Sequence, residues 1–188
     1  VADTLHFELR PVTVTASRLD GTDLNVPVAV TVLSRYRIQG GQQQLVLNEA
    51  LAAIPGLYTM NSENFAQDMR VSIRGFGARA AFGIRGIKIL VDGIPESTPD
   101  GQAQVDNIDL SFIDRIEVLR GPVSALYGNA SGGVISFSSS EPPEASYLDM
   151  RVSTGDFGFQ QIQLKVGQQR GPFSYIMNFS RNQADGFR

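Results

Sequence analysis

The stretch IDLSFIDRIEVLRGPVSALYGNASGGVISF, residues 108–137, contains the clearest succession of structural signals in the chain. Its order predicts a short helical turn, a strand over Arg115–Leu119, a Gly-Pro break and a second helical turn over Val123–Tyr127. A glycine-rich corner then leads into a last strand. Arg120 lies at the end of the first strand, immediately before Gly121-Pro122. The stretch therefore predicts a strand–turn–strand unit around Arg120.

The composition is that of a folded chain without a metal-binding or nucleophilic constellation. Hydrophobic residues make up 42% of the chain, and its net charge of −3 argues against a nucleic-acid partner. There is no cysteine, so disulfides and thiolate metal sites are excluded. His6 is the single histidine, which argues against a histidine zinc site or a Ser-His-Asp triad. We expect no cofactor, no metal and no catalytic residue.

An extended, β-prone peptide lies within residues 1–22. In this peptide Val12 and Val14 alternate with Thr13 and Thr15. The pattern fits an edge strand or a disordered tail. It also fits a peptide that adds itself as a strand to a partner's sheet, where main-chain hydrogen bonds give affinity and alternate side chains give specificity.

The middle of the chain predicts short elements of both kinds. From β-branched or alternating apolar residues, strands are predicted over Pro27–Leu33, Leu57–Met60, Arg70–Arg74 and Ile87–Val91. Leu47, Leu51 and Ile54 repeat at i, i+4 and i+7, which predicts a helix over Leu45–Ile54. Pro55-Gly56 follows directly and ends it.

Two long loops accompany these strands. Gly75–Gly86 is rich in glycine and arginine, and Glu96–Asp109 is polar. The first lacks the Gly-Lys-Ser/Thr of a P-loop and the spacing of a dinucleotide fingerprint, so it does not indicate a nucleotide site. Loops of this length are often functional, which makes both segments candidates for binding.

After residue 144 the pattern changes to strict alternation. Apolar residues alternate with polar ones in three runs, at Leu148, Met150 and Val152, at Ile162, Leu164 and Val166, and at Phe173, Tyr175, Met177 and Phe179. Turns are predicted at Gly155–Gly158 and Gln168–Gly171. This pattern is typical of a transmembrane β-barrel wall, and also of an antiparallel meander on a soluble core. Three strands cannot close a barrel, so we expect a truncated one.

Several segments, in order, resemble one known family. They are PVTVTAS (11–17), LNEALAAIPGLY (47–58), VSIRGFG (71–77), ILVDGIP (89–95), IDRIEVLRGPVSALYGNASGGVISF (113–137) and DGFR (185–188). The chain resembles the N-terminal part of a TonB-dependent outer-membrane receptor, namely its plug domain and first barrel strands. IRGFGARAAFGIRG with ILVDGIPESTPDGQAQ most resembles a subgroup that includes a pyrroloquinoline quinone receptor.

The resemblance implies the fold and the domain organisation. It implies an α+β plug domain with a small mixed sheet and short helices, followed by the first antiparallel strands of a truncated transmembrane β-barrel. The expected division is a flexible N-terminal segment over 1–22, the plug over 23–140, and a linker with three barrel strands over 141–188. The plug would fill the lumen of a barrel of about 22 strands.

The resemblance also implies roles for particular residues. The TonB-binding peptide, or TonB box, would be Pro11, Val12, Thr13, Val14, Thr15, Ala16 and Ser17. Arg74 and Arg120 would latch the plug to glutamates of the barrel wall, because a guanidinium pairs bidentately with carboxylates. Substrate would contact the apical loops through Phe76, Arg79, Phe82, Arg85, Asp100 and Gln102.

The implied function is energised uptake of a scarce substrate, such as a ferric siderophore or a cofactor, and involves no enzymatic step. Expected partners are TonB, the receptor's own barrel, outer-membrane lipid and a small-molecule substrate. The expected location is the outer membrane of a Gram-negative bacterium, with the N-terminus in the periplasm. One alternative is a soluble α/β ligand-binding or enzymatic domain with a site drawn from Asp92, Asp100 or Asp106. A signalling receptor, or a plug without transport, is a third.

Overall fold

A computed structural model describes residues 14–15, 28–61 and 67–185 of the chain. These residues form short strands and helices up to residue 140, followed by three longer strands. The strands are β1 (Ala29–Ser34), β2 (Leu57–Met60), β3 (Arg70–Ile73), β4 (Ile87–Val91), β5 (Ile94–Pro95), β6 (Ile113–Arg120), β7 (Gly133–Ser139), β8 (Tyr147–Thr154), β9 (Gln160–Arg170) and β10 (Phe173–Gln183). The helices are α1 (Arg35–Gln39), α2 (Asn48–Leu51) and α3 (Ser124–Tyr127).

The stretch of residues 108–137 supplies β6 and most of β7, which lie inside a five-stranded mixed sheet with the order β1-β6-β7-β4-β5. β6 pairs antiparallel with β1 and β7, whereas β7 pairs parallel with β4. The predicted strand–turn–strand unit is confirmed, with Arg120 at the end of β6. The predicted opening helical turn is instead a pair of hydrogen-bonded turns, from Phe112 N–H to Asp109 O (3.0 Å) and from Ile113 N–H to Leu110 O (3.3 Å).

The two faces of this sheet differ in size and in chemistry. Ile116 and Val118 of β6 lie on the larger face with Ile135 and Phe137 of β7, and all four are fully buried. α1, α2 and the β2–β3 hairpin complete this main core. The smaller face carries Leu119, Val134 and Leu90, together with the buried carboxylate of Glu117. Strand alternation separates these sets.

The helix predicted over Leu45–Ile54 is wrong in extent, because only Asn48–Leu51 is α-helical. Leu47, Leu51 and Ile54 are nevertheless buried, as their spacing indicated. The Glu49 carboxylate accepts the backbone N–H groups of residues 44, 45 and 46, at 2.9, 2.8 and 3.1 Å, and so holds the preceding segment as a turn. Apolar spacing predicted burial correctly, but it did not predict the number of helical hydrogen bonds.

β8, β9 and β10 form a separate antiparallel sheet with the order β10-β9-β8. The three predicted strands are confirmed, but the turn predicted at Gln168–Gly171 is shorter, because β9 continues to Arg170. Met150, Leu164 and Phe179 occupy neighbouring positions across the three strands. Within the described ranges, none of the helices is both long and apolar enough to span a membrane.

Candidate functional site

The two long loops predicted to bind substrate are joined by main-chain pairing. Ile84 and Ala103 exchange both of their N–H···O hydrogen bonds, each 2.9 Å long. Ser97 forms a second antiparallel bridge with Ala103. At this junction Gly83 has a φ of +59°, and a Cβ on it would lie 2.6–2.9 Å from Gln102 and the Ala103 carbonyl. Glycine therefore permits the close approach of the loops.

Three of the predicted substrate contacts form one polar cluster at this junction. Arg85 Nη2 lies 2.7 Å from Asp100 Oδ2 and 3.3 Å from Gln102 Oε1. The Thr98 hydroxyl also donates to Asp100 Oδ1. Hydrogen bonds from Thr98 and from the Gln102 backbone, aided by the charge of Arg85, lower the pKa of Asp100 below its ordinary value of 3.8. Because Arg85 is already paired, an anionic ligand would have to share or displace Asp100.

The other three predicted substrate contacts, Phe76, Arg79 and Phe82, lie outside this cluster and are exposed. Phe82 is 73% exposed and lines a cavity of about 390 Å³ with Asp68 and Arg70. Arg79 is exposed, and Phe76 is 47% exposed with its Cβ close to Gly132. Sequence reasoning missed Arg70, because the alternation of β3 indicated an ordinary polar face. Its Nη1 donates to Ala80 O at 3.1 Å and so supports the loop from below.

Arg74 and Arg120, the two predicted latch residues, lie beside the same turn, Pro55-Gly56. Arg120 Nη1 donates to Pro55 O at 2.8 Å, and its Nη2 donates to Thr31 Oγ1 at 2.9 Å. The Arg74 backbone N–H donates to Gly56 O at 2.8 Å, and the residue adopts a φ of +49° with its side chain exposed. The structure therefore brings together two arginines that are 46 positions apart in the sequence.

Val14 and Thr15 are the two described residues of the predicted TonB-binding peptide; Pro11, Val12, Thr13, Ala16 and Ser17 lie outside the described residues, as do Gly186–Arg188 of the DGFR segment. Val14 is 1% exposed. The Thr15 N–H lies 3.0 and 3.2 Å from the two carboxylate oxygens of Glu117, and its hydroxyl donates to Oε1 at 3.0 Å. Sequence reasoning missed Glu117, since a charged residue in an alternating strand reads as solvent-exposed.

A polar seam joins the three-stranded sheet to the preceding domain. Lys165 of β9 is 5% exposed and donates to Ser111 O at 2.7 Å and to Ser140 Oγ at 3.2 Å. Gln161, on the same face, is 1% exposed and donates to Gln43 O at 3.0 Å. From β10, Asn178 donates to Asp109 Oδ2 at 2.8 Å. In β9 the polar face is thus the buried one, and in β10 Asn178 of this face is half-buried.

The opposite, apolar face of the same sheet is exposed. The exposed fractions of eight of its large side chains run from 41% to 79%, while Leu164 and Val166 are half-buried. They belong to Leu148, Met150, Val152, Ile162, Phe173, Tyr175, Met177 and Phe179. A sheet in a soluble core buries its apolar face and exposes its polar face, and this sheet does the reverse.

The comparison with protein families identifies this architecture. The family model described as the TonB-dependent Receptor Plug Domain matches residues 22–134. The chain belongs to the TonB-dependent receptor plug domain family. The match covers the five-stranded sheet up to the start of β7 and includes both long loops. Among the described residues of this plug-containing chain, no group of three or more acidic or histidine side chains is placed to hold a metal ion.

Curated relatives of this plug-containing chain are transporters and receptors. It is 32% identical over 142 residues to the vitamin B12 transporter BtuB of Vibrio vulnificus, covering 74% of this chain and 22% of the relative. It is 31% identical over 144 residues to the ferrioxamine receptor of Yersinia enterocolitica, covering 75% and 19%. It is also 31% identical over 125 residues to the hemin receptor of Yersinia pestis, covering 66% and 17%. The chain spans about a fifth of the length of these relatives.

Solved structures share the fold of the plug and the following strands. The ferric preacinetobactin receptor BauA of Acinetobacter baumannii aligns with a TM-score of 0.67 at 19% identity, over 86% of this chain and 23% of that one. The ferric yersiniabactin uptake receptor FyuA of Yersinia pestis aligns with a TM-score of 0.62 at 22% identity, over 77% and 22%. The predicted family and fold class are therefore confirmed.

Proposed function

We propose that this chain is the plug region, with the first wall strands, of an outer-membrane receptor that imports a scarce small molecule with energy delivered by TonB. The observation that carries the proposal is the inverted polarity of the β8–β10 sheet. Its polar face packs on the plug through Lys165, Gln161 and Asn178, while its apolar face is exposed. A barrel wall needs this arrangement, because its outside contacts lipid and its inside contacts the plug.

The plug loops support a small-molecule substrate. The pairing of Ile84 with Ala103 fixes the two loops together, while Phe82 and Arg79 remain exposed beside them. Exposed aromatic and cationic side chains on a fixed support suit a compact ligand with acidic groups. A ferric siderophore, or a cofactor such as a quinone carboxylate, has this chemistry. The relatives' names cover a vitamin, a siderophore and hemin, so the family context fits either class.

Arg74 and Arg120 are proposed to hold the plug against the barrel wall. Arg120 uses Nη1 and Nη2 for Pro55 O and Thr31 Oγ1, but a guanidinium carries five N–H donors. Arg120 thus has donors left for a wall carboxylate. Arg74, exposed beside the same turn, would bind the second one.

Residues 11–17 are proposed to bind TonB by strand addition in the periplasm. The alternating VTVT sequence suits this mode, since main-chain groups pair with the partner and alternate side chains select it. Substrate binding at the loops would favour the state in which this peptide is released, by its differential affinity for the two states.

Site-directed crosslinking in the intact receptor tests the proposal. A cysteine in place of Val14 should form a disulfide with a cysteine on the pairing strand of TonB, and more of it when substrate is present. A cysteine in place of Ile94 is the control, because it is 69% exposed but lies in β5, at the far edge of the sheet from β1. Absence of crosslinks from every position between Pro11 and Ser17 would refute the TonB-binding assignment. Uptake of candidate siderophores and cofactors by a deletion strain identifies the substrate.

A further inference from the structure

Glu117 is a fully buried carboxylate in the centre of the plug sheet. It is 0% exposed, and its neighbours in register are Val32 of β1 and Ser136 of β7. A carboxylate taken out of water is costly unless charge and hydrogen bonds compensate it. The contacts of Glu117 therefore identify the groups that compensate its buried charge.

Arg115 supplies the charge on one side of this carboxylate. Its Nη2 lies 2.8 Å from Glu117 Oε1. The same Nη2, and the Nε, are buried without a hydrogen bond in the described part of the chain. The angle at Nη2 therefore falls outside hydrogen-bond geometry, and the contact is an ion pair. Arg115 balances the charge of Glu117 but leaves its lone pairs for other donors.

Thr15 provides such donors from more than a hundred residues away. Its N–H reaches both carboxylate oxygens, and its hydroxyl reaches Oε1. The preceding side chain, Val14, is 1% exposed. Thr15 itself is exposed.

The same N–H group is required for strand addition. In an antiparallel pair, main-chain N–H and C=O groups bond to the partner strand, and the side chains alternate between the two faces. While Thr15 N–H binds Glu117, it cannot bind a carbonyl of another strand. The buried side chain of Val14 is likewise withheld from a partner. Seating on the plug and pairing at these two residues with TonB exclude each other.

We propose that Glu117, balanced by Arg115, is a clasp that binds Val14–Thr15 and competes directly with TonB for them. The proposal rests on the proposed function of residues 11–17. It assigns Glu117 a role in controlling when that peptide is accessible. Opening the clasp requires that Thr15 leave the carboxylate, while the ladder of β6 with β1 and β7 can stay intact.

The test is performed on the full receptor in outer membranes, with Val14→Cys as the reporter, because Val14 is 1% exposed. The chain contains no cysteine, so a thiol reagent labels only the introduced position within it. Glu117→Gln removes the charge and one acceptor oxygen. A hydrogen bond to a charged group is worth enough that its loss should raise the labelling rate by roughly tenfold or more.

Glu49→Gln is the matched control. Glu49 also accepts three hydrogen bonds through its carboxylate, two from backbone N–H groups to Oε1 and one to Oε2, but they come from residues 44–46. This variant should leave labelling at position 14 unchanged. Thr15→Val, which removes only the hydroxyl, should give a smaller increase than Glu117→Gln. If the Glu117→Gln receptor fails to assemble, Thr15→Val tests the clasp instead, because Thr15 is exposed and lies outside the core.

Binding of the purified periplasmic domain of TonB without substrate is the second measurement. Glu117→Gln should bind roughly tenfold more tightly than the unmodified receptor, since a competitor has been removed. Faster labelling without TonB binding in any variant would support the clasp and refute the TonB assignment. Unchanged labelling in a folded Glu117→Gln receptor, or in Thr15→Val if the first is not obtained, would overturn the clasp whatever TonB does.

Discussion

Replacing Gly133 by alanine tests how much the close approach of β6 and β7 contributes to the stability of the plug sheet. Gly133 is the first residue of β7, has a φ of +141° and pairs with Ile87 and Arg120. A Cβ at this position would lie 2.1 Å from the carbonyl oxygen of Leu119, far inside the 3.4 Å at which ordinary van der Waals contact begins. Because that oxygen belongs to the backbone of β6, no side-chain rotation relieves the clash.

The expected loss of stability has two parts. Holding alanine at this positive φ costs roughly 1–3 kcal/mol, and forcing β6 and β7 apart costs roughly 1–3 kcal/mol more. The free energy of opening the β6–β7 ladder should therefore fall by about 2–6 kcal/mol. At the lower end this corresponds to roughly 30-fold faster amide exchange.

Hydrogen exchange with mass spectrometry on the intact receptor measures this loss in peptides covering 113–120 and 133–139. Gly93→Ala is the control, because Gly93 has a φ of +79° but no atom lies within 4 Å of the point that a Cβ would occupy. It shares the backbone strain without the clash, and its effect should stay within the β4–β5 turn. If Gly133→Ala left exchange in β6 and β7 unchanged, or changed it no more than the control does, the clash argument would be refuted.

The contacts of the plug give three further predictions. Lys165→Met removes the 2.7 Å hydrogen bond to Ser111 O, which keeps Gln39 Nε2 as a donor at 2.9 Å, and should weaken the seam by about 1 kcal/mol, seen as faster exchange in residues 109–113. In Arg120→Lys the lysine can bond only one of the two acceptors, Pro55 O and Thr31 Oγ1, that Arg120 bonds. This variant should therefore lower the urea midpoint of the plug, but by less than Arg120→Ala does. The pKa of Asp100 is lower in the folded state than in the unfolded state. The ionised carboxylate therefore stabilises the loops above the unfolded pKa, and this stabilisation is lost as the pH falls through the folded pKa. Exchange of the Ile84 and Ala103 amides should therefore accelerate, relative to intrinsic rates, below pH 3.8, and Asp100→Asn should abolish this dependence.

Much of the fold could be predicted from local patterns. The strands at Leu57–Met60 and Ile87–Val91 are present with the predicted bounds, because β-branched and alternating apolar residues favour a pleated surface. The helix over Leu45–Ile54 was overestimated, since apolar spacing reports which side chains are buried and not how far main-chain hydrogen bonding continues. Glu49 competes for that backbone through its carboxylate.

The sequence predicted which loops form the candidate site, but not how their side chains pair. The length and composition of Gly75–Gly86 and Glu96–Asp109 singled out both segments, but not the ion pair of Arg85 with Asp100. Whether an arginine is available to a ligand depends on which acidic group the opposite loop places beside it. That placement comes from the Ile84–Ala103 pairing, which no local pattern encodes.

The sequence by itself determined which residues share a face, in β6 as in β9, because a strand alternates its side chains whatever surrounds it. Only the tertiary structure decided what covers each face. In β9 the polar Gln161, Gln163 and Lys165 are buried, whereas Ile162 is exposed, and in β6 the buried carboxylate of Glu117 binds Thr15. Burial depends on contacts between segments more than a hundred residues apart. For this reason the position of Arg120 at the end of a strand could be predicted from the sequence, whereas the burial of Glu117 was evident only in the fold.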